Sequence, residues 1–519
     1  MVTPKHARSR ARHADATLVG RWWAARILSV YNPDRLSGLD ASFLHLERDV
    51  AHMHVAACAV LEGPPPEYSE LVEAIEARLH LVPRYRQRLA TIPLGQGRPV
   101  WVDDPFFQVG FHVRHTALPQ PGGETELKRL AGRVFSQSLD RSRPLWELWL
   151  VEGLMDGRFA LLTKTHHALV DGISGVDIAT VLFDASPEPA PVAPPAQEWI
   201  PRPPPSGAQL LAEALIERAT VPRELVRGLR AALRGPRQLA TRAVEVAAGM
   251  GALALVGLEP APQSPFNVRI GPHRRFAWVR ASVEDFKAIK NALGGTVNDV
   301  VLTAVAGALG TYMNAHGHAT EGVVLKAMVP VSVRAEVERG ELGNRVAAMW
   351  APLPVGVDDP AARLEWIRLA MAEIKDSGQA VGAQALTQLS GFAPPTIMAQ
   401  AARLQARQRL FNLVVTNVPG PQLPLYVLGR ELLYMAPMVP LAENTALGVA
   451  VMSYNGQLTF GLNADYDAMA DVETLADALR DAVDALRRAA GVSSTRARRG
   501  ARTPARTADS PPLRVVETE

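Results

Sequence analysis

Two stretches of the chain alternate between strand-like and helix-like hydrophobic patterns, and a proline-rich segment separates them. The first stretch, residues 36–184, has a helix-like pattern over residues 71–81 and a short apolar run of strand character over residues 158–165. The second stretch, residues 266–488, closes with an amphipathic helical pattern over residues 472–487. The pattern therefore predicts two α/β regions.

The clearest local signal is a β-hairpin in the second region. Asn455 and Gly456 lie between the apolar runs 446–453 and 458–462. An Asn-Gly pair between two such runs favours a two-residue turn, because both central residues of that turn need a positive φ angle. We therefore predict two antiparallel strands that are joined at this pair.

The segment between the two regions is rich in proline. Residues 187–205 hold nine prolines, which keep a chain extended and exclude a core helix or a central strand, so we predict a linker. Residues 210–258 then show a helix-like, arginine-rich pattern. Two interpretations stay open for this stretch: a basic helix on an anionic lipid surface, or a solvated helix face whose apolar side packs on the protein.

The composition is that of a globular protein, since 48% of the 519 residues are hydrophobic and 21% are charged. The single cysteine, Cys58, excludes an intramolecular disulfide and a cysteine zinc cluster, and it favours a reducing compartment. The net charge of +3 comes from the two basic tails and not from the body of the chain, which argues against a nucleic-acid groove. With neither a secretory-signal pattern nor a run of about 18 apolar residues, we predict a cytoplasmic protein that does not cross a membrane.

These features divide the chain into five segments. We predict a basic N-terminal arm over residues 1–30, a first α/β domain over residues 31–186, and the linker with its basic helical segment over residues 187–265. A second α/β domain follows over residues 266–490, and residues 491–519 form a disordered basic tail.

The pattern that can carry chemistry is His166-His167 with Asp171 and Gly172, at the point where an apolar strand runs into a turn. Neighbouring strand residues face opposite sides, so only one histidine can point into a given cleft. An imidazole has an ordinary pKa near 6.5 and suits a general base at neutral pH. Asp171 can hold the shape of the loop, and Gly172 permits its turn. Taken alone, the pair is also compatible with a structural role or with a sparse metal site.

The full His-His-x-x-x-Asp-Gly pattern resembles the active-site signature of the chloramphenicol-acetyltransferase-like superfamily. Within it, the chain is similar to the bacterial wax ester synthase/acyl-CoA:diacylglycerol acyltransferase family over about residues 36–488. The histidine pattern alone is less specific, because peptide-synthetase condensation domains share it. Further blocks carry the resemblance: Leu-Ser-Gly-Leu-Asp-Ala-Ser-Phe at 36–43, Pro-Leu-Trp-Glu at 144–147, Asn-Asp-Val-Val at 298–301, Pro-Val-Ser-Val-Arg at 330–334, Gly-Asn at 343–344, Asn-Val-Pro-Gly-Pro at 417–421 and Ser-Tyr-Asn-Gly at 453–456.

The resemblance implies an α/β fold of two chloramphenicol-acetyltransferase-like domains, joined by the proline-rich crossover, with the active site in the channel between them. It also implies an acyl-CoA-dependent O-acyltransferase whose acceptor is diacylglycerol or a long-chain alcohol. Acyl-CoA is then a substrate, neither a cofactor nor a metal is expected, and nucleic acid is not a partner. His167 becomes the general base, with His166, Asp171 and Gly172 in support.

The second region is expected to complete the site. Asn298 is a candidate donor to the oxyanion of a tetrahedral intermediate, or alternatively the cap of a helix over residues 300–309. Asp299 is expected to be structural. Arg334 is the ion-pair partner that we predict for Asp171, since a carboxylate held in such a loop usually needs one.

The block before the histidines also allows two interpretations. Pro144, Leu145 and Trp146 either contact the substrate or belong to the core.

Two other functions stay open. One is a condensation-type enzyme that uses carrier-bound acyl groups, although no carrier-like Asp-Ser segment is evident. The other is a non-catalytic lipid-binding relative that keeps the channel. Because the expected substrates partition into membranes, we also expect peripheral contact with the inner membrane face or with lipid inclusions, helped by the basic segments.

Overall fold

The computed structural model describes residues 34–169, 181–188, 192–195, 197–216, 260–332, 346–376 and 409–492. Fourteen strands are found in these residues: β1 (His54–Leu61), β2 (Gln87–Ala90), β3 (Val100–Asp103), β4 (Val113–Ala117), β5 (Trp146–Glu152), β6 (Phe159–His166), β7 (Arg274–Ser282), β8 (Val324–Ser332), β9 (Val346–Pro354), β10 (Leu413–Pro419), β11 (Tyr426–Val427), β12 (Arg430–Met438), β13 (Leu447–Tyr454) and β14 (Gln457–Asp465).

The α-helices of the same residues are α1 (Gly38–Leu46), α2 (Tyr68–Arg78), α3 (Val109–His112), α4 (Glu124–Phe135), α5 (Gly207–Ile216), α6 (Val283–Leu293), α7 (Val297–Ala315), α8 (Pro360–Asp376) and α9 (Val472–Ala489). The elements expected from local patterns are present. A 3₁₀ turn extends α2 to Leu81, β6 covers the apolar run before the histidines, and α9 is the closing helix. These three predictions are confirmed.

The strands form two six-stranded sheets and one two-stranded ribbon. The first sheet has the order β11-β12-β1-β6-β5-β4, the second has the order β7-β14-β13-β10-β8-β9, and β2 pairs with β3. Apolar side chains join the sheets, because Phe276 and Trp278 of β7 share a buried cluster with Cys58 and Leu162 of the first sheet. The two α/β regions therefore pack into one body.

The predicted hairpin is present as the pair β13–β14. Tyr454 and Gln457 face each other across the turn, and the two residues between them have φ angles of 41° at Asn455 and 76° at Gly456. Both angles are positive, as the two-residue turn requires. The hairpin prediction is confirmed.

Helix α7 forms the centre of the second core. Thr296 caps its start by accepting the N–H of Asp299, and the Asp299 carboxylate accepts the N–H of Thr296 at 2.8 Å. This reciprocal arrangement satisfies two backbone donors that a helix start leaves unpaired. Residues 299–310 are all buried, as expected for a helix that is apolar around its whole circumference.

Two strands of the second region, β11 and β12, belong to the first sheet. β12 pairs antiparallel with β1, from Ala56 opposite Met438 to Leu61 opposite Leu432. The sheets therefore do not follow the predicted division into a first domain over residues 31–186 and a second over residues 266–490, because β11 and β12 join the first sheet. A hydrophobic pattern predicts a strand but does not identify its partner strand.

The described parts of the proline-rich segment contain neither helix nor strand, in agreement with the predicted linker. The chain then enters α5, which packs Leu210 and Ala214 on Val100 and Val102 of the ribbon. Residues 217–259 lie outside the described residues. Both interpretations of their arginine-rich pattern therefore stay predictions. The predicted arm over residues 1–30 and all but the first two residues of the predicted tail also lie outside.

Among the helices described, none has by itself the length and hydropathy to span a bilayer, whereas α6 and α7 pass this test only together and are bent by 97° at their junction.

β12 of the first sheet packs closely against β14 of the second sheet, and this close approach requires a glycine at position 461. A Cβ atom at Gly461 would lie 1.7 Å from the carbonyl oxygen of Pro437, which is far inside van der Waals contact. We predict that Gly461→Ala destabilises the protein by about 2–3 kcal/mol, because the two sheets must move apart. Gly110→Ala is the matched control, since its Cβ would meet only the Tyr68 hydroxyl at 3.7 Å. Urea unfolding measures both, and a loss below about 0.5 kcal/mol for Gly461→Ala would contradict the prediction.

Candidate active site

Both histidines of the sequence pattern lie where β6 ends. His166 is the last strand residue and pairs with His54 of β1. The backbone N–H of His166 donates to the carbonyl oxygen of Leu145 at 2.9 Å, and that of His167 donates to the carbonyl oxygen of Met53 at 2.8 Å. The chain is thus anchored at both histidines by residues that precede β5 and β1.

The His167 ring is held by an aromatic contact. It stacks on Phe43 of α1, with 3.9 Å between ring centroids and 19° between ring planes. Its Nδ1 is buried and has no hydrogen-bond partner in the described structure. Burial lowers the pKa of His167 to about 4, and the neighbouring His166 acts in the same direction. At neutral pH the ring is uncharged, which is the form that accepts a proton.

The His166 ring makes a different set of contacts. It is 1% exposed, and its Nδ1 accepts the backbone N–H of Ala168 at 3.0 Å, so the ring proton lies on Nε2. Nε2 faces Oε2 of Glu47, at the end of α1, at 3.4 Å. Burial alone would raise the pKa of Glu47, but its contacts with His166 and Arg141 outweigh burial and lower that pKa to about 2.

Sequence reasoning did not single out Phe43 or Glu47 as site residues. Phe43 lies in α1, and Glu47, four positions later, is the C-cap residue of that helix and has an extended backbone conformation. A signal was available, because the block at residues 36–43 that carries part of the family resemblance ends at Phe43. Nothing in the sequence relates this helix to the distant end of β6, however.

Helix α1 also connects the histidines to the second sheet. Phe43 and Leu46 pack against the core cluster of that sheet, and Ala51 and Met53 belong to it. His167 therefore lies at the junction of the two domains, where the resemblance implies the reaction centre.

Asn298 is not the cap of its helix, because Thr296 occupies that position. The capping interpretation of Asn298 is therefore wrong. Asn298 lies in the first turn of α7, and its Oδ1 accepts a hydrogen bond from Nδ2 of Asn417 on β10 at 3.4 Å. The contact turns the amide NH₂ group of Asn298 away from Asn417. Asp299 closes the capping box, which is a structural role.

The Pro-Leu-Trp block lies in the core of the first domain. Pro144, Leu145 and Trp146 are all buried. The Trp146 indole donates to the carbonyl oxygen of Tyr85 at 2.8 Å and stacks on the His112 ring, with 4.7 Å between centroids. These are packing contacts, and a contact of the block with substrate stays a prediction.

The remaining candidates cannot be placed. Asp171, Gly172 and Arg334 lie outside the described residues, so the Asp171–Arg334 ion pair stays a prediction. Within the described part of the chain, no group of three or more His, Cys, Asp or Glu side chains is arranged to hold a metal ion.

Comparison with known proteins identifies the family. The profile of the wax ester synthase/diacylglycerol acyltransferase catalytic domain matches residues 36–301, and that of the C-terminal domain of the same enzymes matches residues 342–487. Two Mycobacterium tuberculosis proteins named as diacylglycerol O-acyltransferases, tgs1 and tgs2, are 34% and 35% identical. Each alignment covers 87% of this chain and 95% or 98% of the relative, respectively.

Solved structures agree with the sequence comparison. The wax ester synthase/diacylglycerol acyltransferase of Marinobacter aquaeolei VT8 is 30% identical, with a TM-score of 0.61 over 88% of this chain and 100% of that one. The first condensation domain of the calcium-dependent antibiotic synthetase shares the fold alone, with a TM-score of 0.50 at 15% identity over 87% of this chain and 96% of that one. The chain belongs to the wax ester synthase/diacylglycerol acyltransferase family and is an acyltransferase.

Proposed function

We propose that the protein transfers a fatty acyl group from acyl-CoA to diacylglycerol, to a long-chain alcohol, or to both, with His167 as the general base. The observation that carries the proposal is the placement of His167 at the domain junction, where its ring stacks on Phe43 and its Nδ1 is buried without a hydrogen-bond partner among the described residues. The names of the similar proteins support these substrates. The products are triacylglycerol and wax esters.

The reaction needs one proton to move twice. His167 takes the proton of the acceptor hydroxyl while the hydroxyl oxygen attacks the thioester carbonyl. The tetrahedral intermediate then loses the thiolate of coenzyme A, and His167 returns the proton to that sulfur. No acyl-enzyme is required. Cys58 is fully buried on β1, and burial raises the pKa of its thiol, so it does not serve as a nucleophile.

The oxyanion of the intermediate needs a hydrogen-bond donor, and we assign this role to the Asn298 side chain. Its carbonyl oxygen is engaged by Asn417, so its NH₂ group is the part left to donate. Donors of this kind are typically worth about 10²–10³ in rate. Asn417 then serves to orient the Asn298 amide.

We also propose that the protein works in the cytoplasm in peripheral contact with the inner membrane face or with lipid inclusions. The acceptors are insoluble in water, and the Lys and Arg residues of the predicted basic segments would attract an anionic surface. Three exposed apolar side chains support this contact: Leu94 between β2 and β3 (83% exposed), Phe106 after β3 (81%) and Ile200 in the proline-rich segment (76%).

The first test is a transfer assay with the purified chain. Palmitoyl-CoA is supplied with diacylglycerol or with hexadecanol, and release of coenzyme A is followed. We predict that His167→Ala lowers turnover at least about tenfold because the base is lost, and that His166→Ala retains more activity. The exposed His318 is the control, since His318→Ala should leave turnover unchanged. Turnover above about a tenth of wild type in a folded His167→Ala protein would contradict the assignment of the base.

A second prediction concerns pH. A base with a pKa of about 4 stays almost wholly neutral at pH 5.5, whereas an ordinary histidine would be only about a tenth neutral there. We therefore expect kcat/KM to change less than about twofold between pH 8 and pH 5.5. Circular dichroism at each pH verifies that the protein is folded. A decline of about tenfold with a midpoint near pH 6.5 would contradict the lowered pKa.

A third prediction concerns the lipid surface. We expect the protein to sediment with anionic liposomes at low salt and to be released at high salt, because salt screens the attraction between basic residues and lipid. Little binding to neutral liposomes is expected. Equal binding to neutral and anionic vesicles would attribute the contact to the exposed apolar side chains instead. Absence of binding to both would contradict the proposed contact.

A further inference from the structure

The Glu47 side chain contacts Met53, Arg141 and His166, next to the two histidines of the sequence pattern. It is 9% exposed, and both carboxylate oxygens are engaged. Oε1 accepts the backbone N–H of Met53 at 3.3 Å. Oε2 accepts the Nε–H of Arg141 at 2.8 Å and faces Nε2 of His166 at 3.4 Å. An ionised carboxylate suits this position, because every group around it is a donor.

Two series of contacts connect this carboxylate to the backbone around His167. On the first, Oε1 holds the N–H of Met53, whose carbonyl oxygen accepts the N–H of His167. On the second, Oε2 faces the His166 ring, whose Nδ1 accepts the N–H of Ala168. The chain is therefore held at His167 and at the following residue by contacts that converge on Glu47.

We propose that Glu47 is a positioning residue for the base, because its carboxylate fixes the Met53 backbone and the His166 ring and thereby sets the direction in which His167 presents its imidazole. The inference rests on the proposed function, in which His167 is the base. Phe43, one helical turn earlier, holds the face of the same imidazole. Helix α1 and its C-cap residue Glu47 thus constrain both the ring and the backbone of His167.

The kinetic test uses Glu47→Gln, which preserves the size of the side chain and its contact with Met53 but removes the charge that faces His166 and Arg141. We expect kcat to fall at least about tenfold, because a misplacement of about 1 Å can cost on the order of 10²-fold in rate and the displacement here is expected to be smaller. KM for acyl-CoA should stay within about twofold, since both carboxylate oxygens of Glu47 are engaged by protein groups. Glu47→Asp restores the charge at a shorter reach and should recover part of the lost kcat.

A matched control is available on the surface. Glu152 of β5 faces Nε2 of His115 at 2.9 Å, with side chains that are 34% and 43% exposed. This pair has the chemistry of Glu47 and His166 but lies outside the site. Glu152→Gln should therefore leave kcat unchanged. Thermal unfolding of each variant separates positioning from stability, because a kcat loss that is fully explained by unfolded protein would overturn the proposal.

The second readout needs no activity. The ¹⁵N spectra of the histidine rings are recorded without substrate, and His166→Gln and His167→Gln variants assign the two signals. We expect His166 to carry its proton on Nε2, and Glu47→Gln, but not Glu152→Gln, to shift or broaden both signals. If the unaltered chain transfers no acyl group, the proposed function is wrong. The spectra still show in that case whether Glu47 positions the two histidine rings. Three results for Glu47→Gln would each overturn the positioning role: unchanged spectra, a kcat within about twofold of wild type, or a raised KM at constant kcat.

Discussion

The antiparallel pairing of β12 with β1 is the interaction on which the rest of the structure depends. It makes β1 an inner strand, bonded on one side to β12 and on the other to β6, the strand that ends in the histidines. Without β12, β1 would be a sheet edge with unpaired backbone groups. Because β12 comes from the second half of the chain, the two domains cannot separate without breaking the sheet that carries the site.

The proposed role of His167 adds a second constraint, because a general base must be neutral and yet firmly placed. Burial lowers the pKa of His167, and its Nδ1 has no hydrogen-bond partner among the described residues that would fix the ring. The stacking of Phe43 and the backbone bond from His167 to Met53 supply that fixation through apolar contact and main chain, which do not compete for the lone pair of the base. The histidine pattern is thus short, but the contacts that hold its residues come from several segments of the chain.

The sequence predicts the parts of this arrangement that depend on neighbouring residues. The turn at Asn455-Gly456 follows from local φ requirements, and α9 follows from an amphipathic period. The cap at Thr296 could have been found too, because Thr296 and Asp299 have the capping-box spacing. The crossing of β12 and the contact of Glu47 with His166 could not, since both join residues far apart in the chain and no local pattern encodes such a partner.

The burial of histidine also affects how the whole fold binds protons. His54, His112 and His167 all have a pKa that burial lowers below the ordinary value. In the unfolded chain each returns to about 6.5, so below that pH the unfolded state binds more protons than the folded state does. The contribution of these groups to stability is complete above about pH 6.5 and declines as the pH falls toward their folded-state pKa values. The burial that keeps the His167 imidazole uncharged therefore also removes part of the stability of the fold in acid.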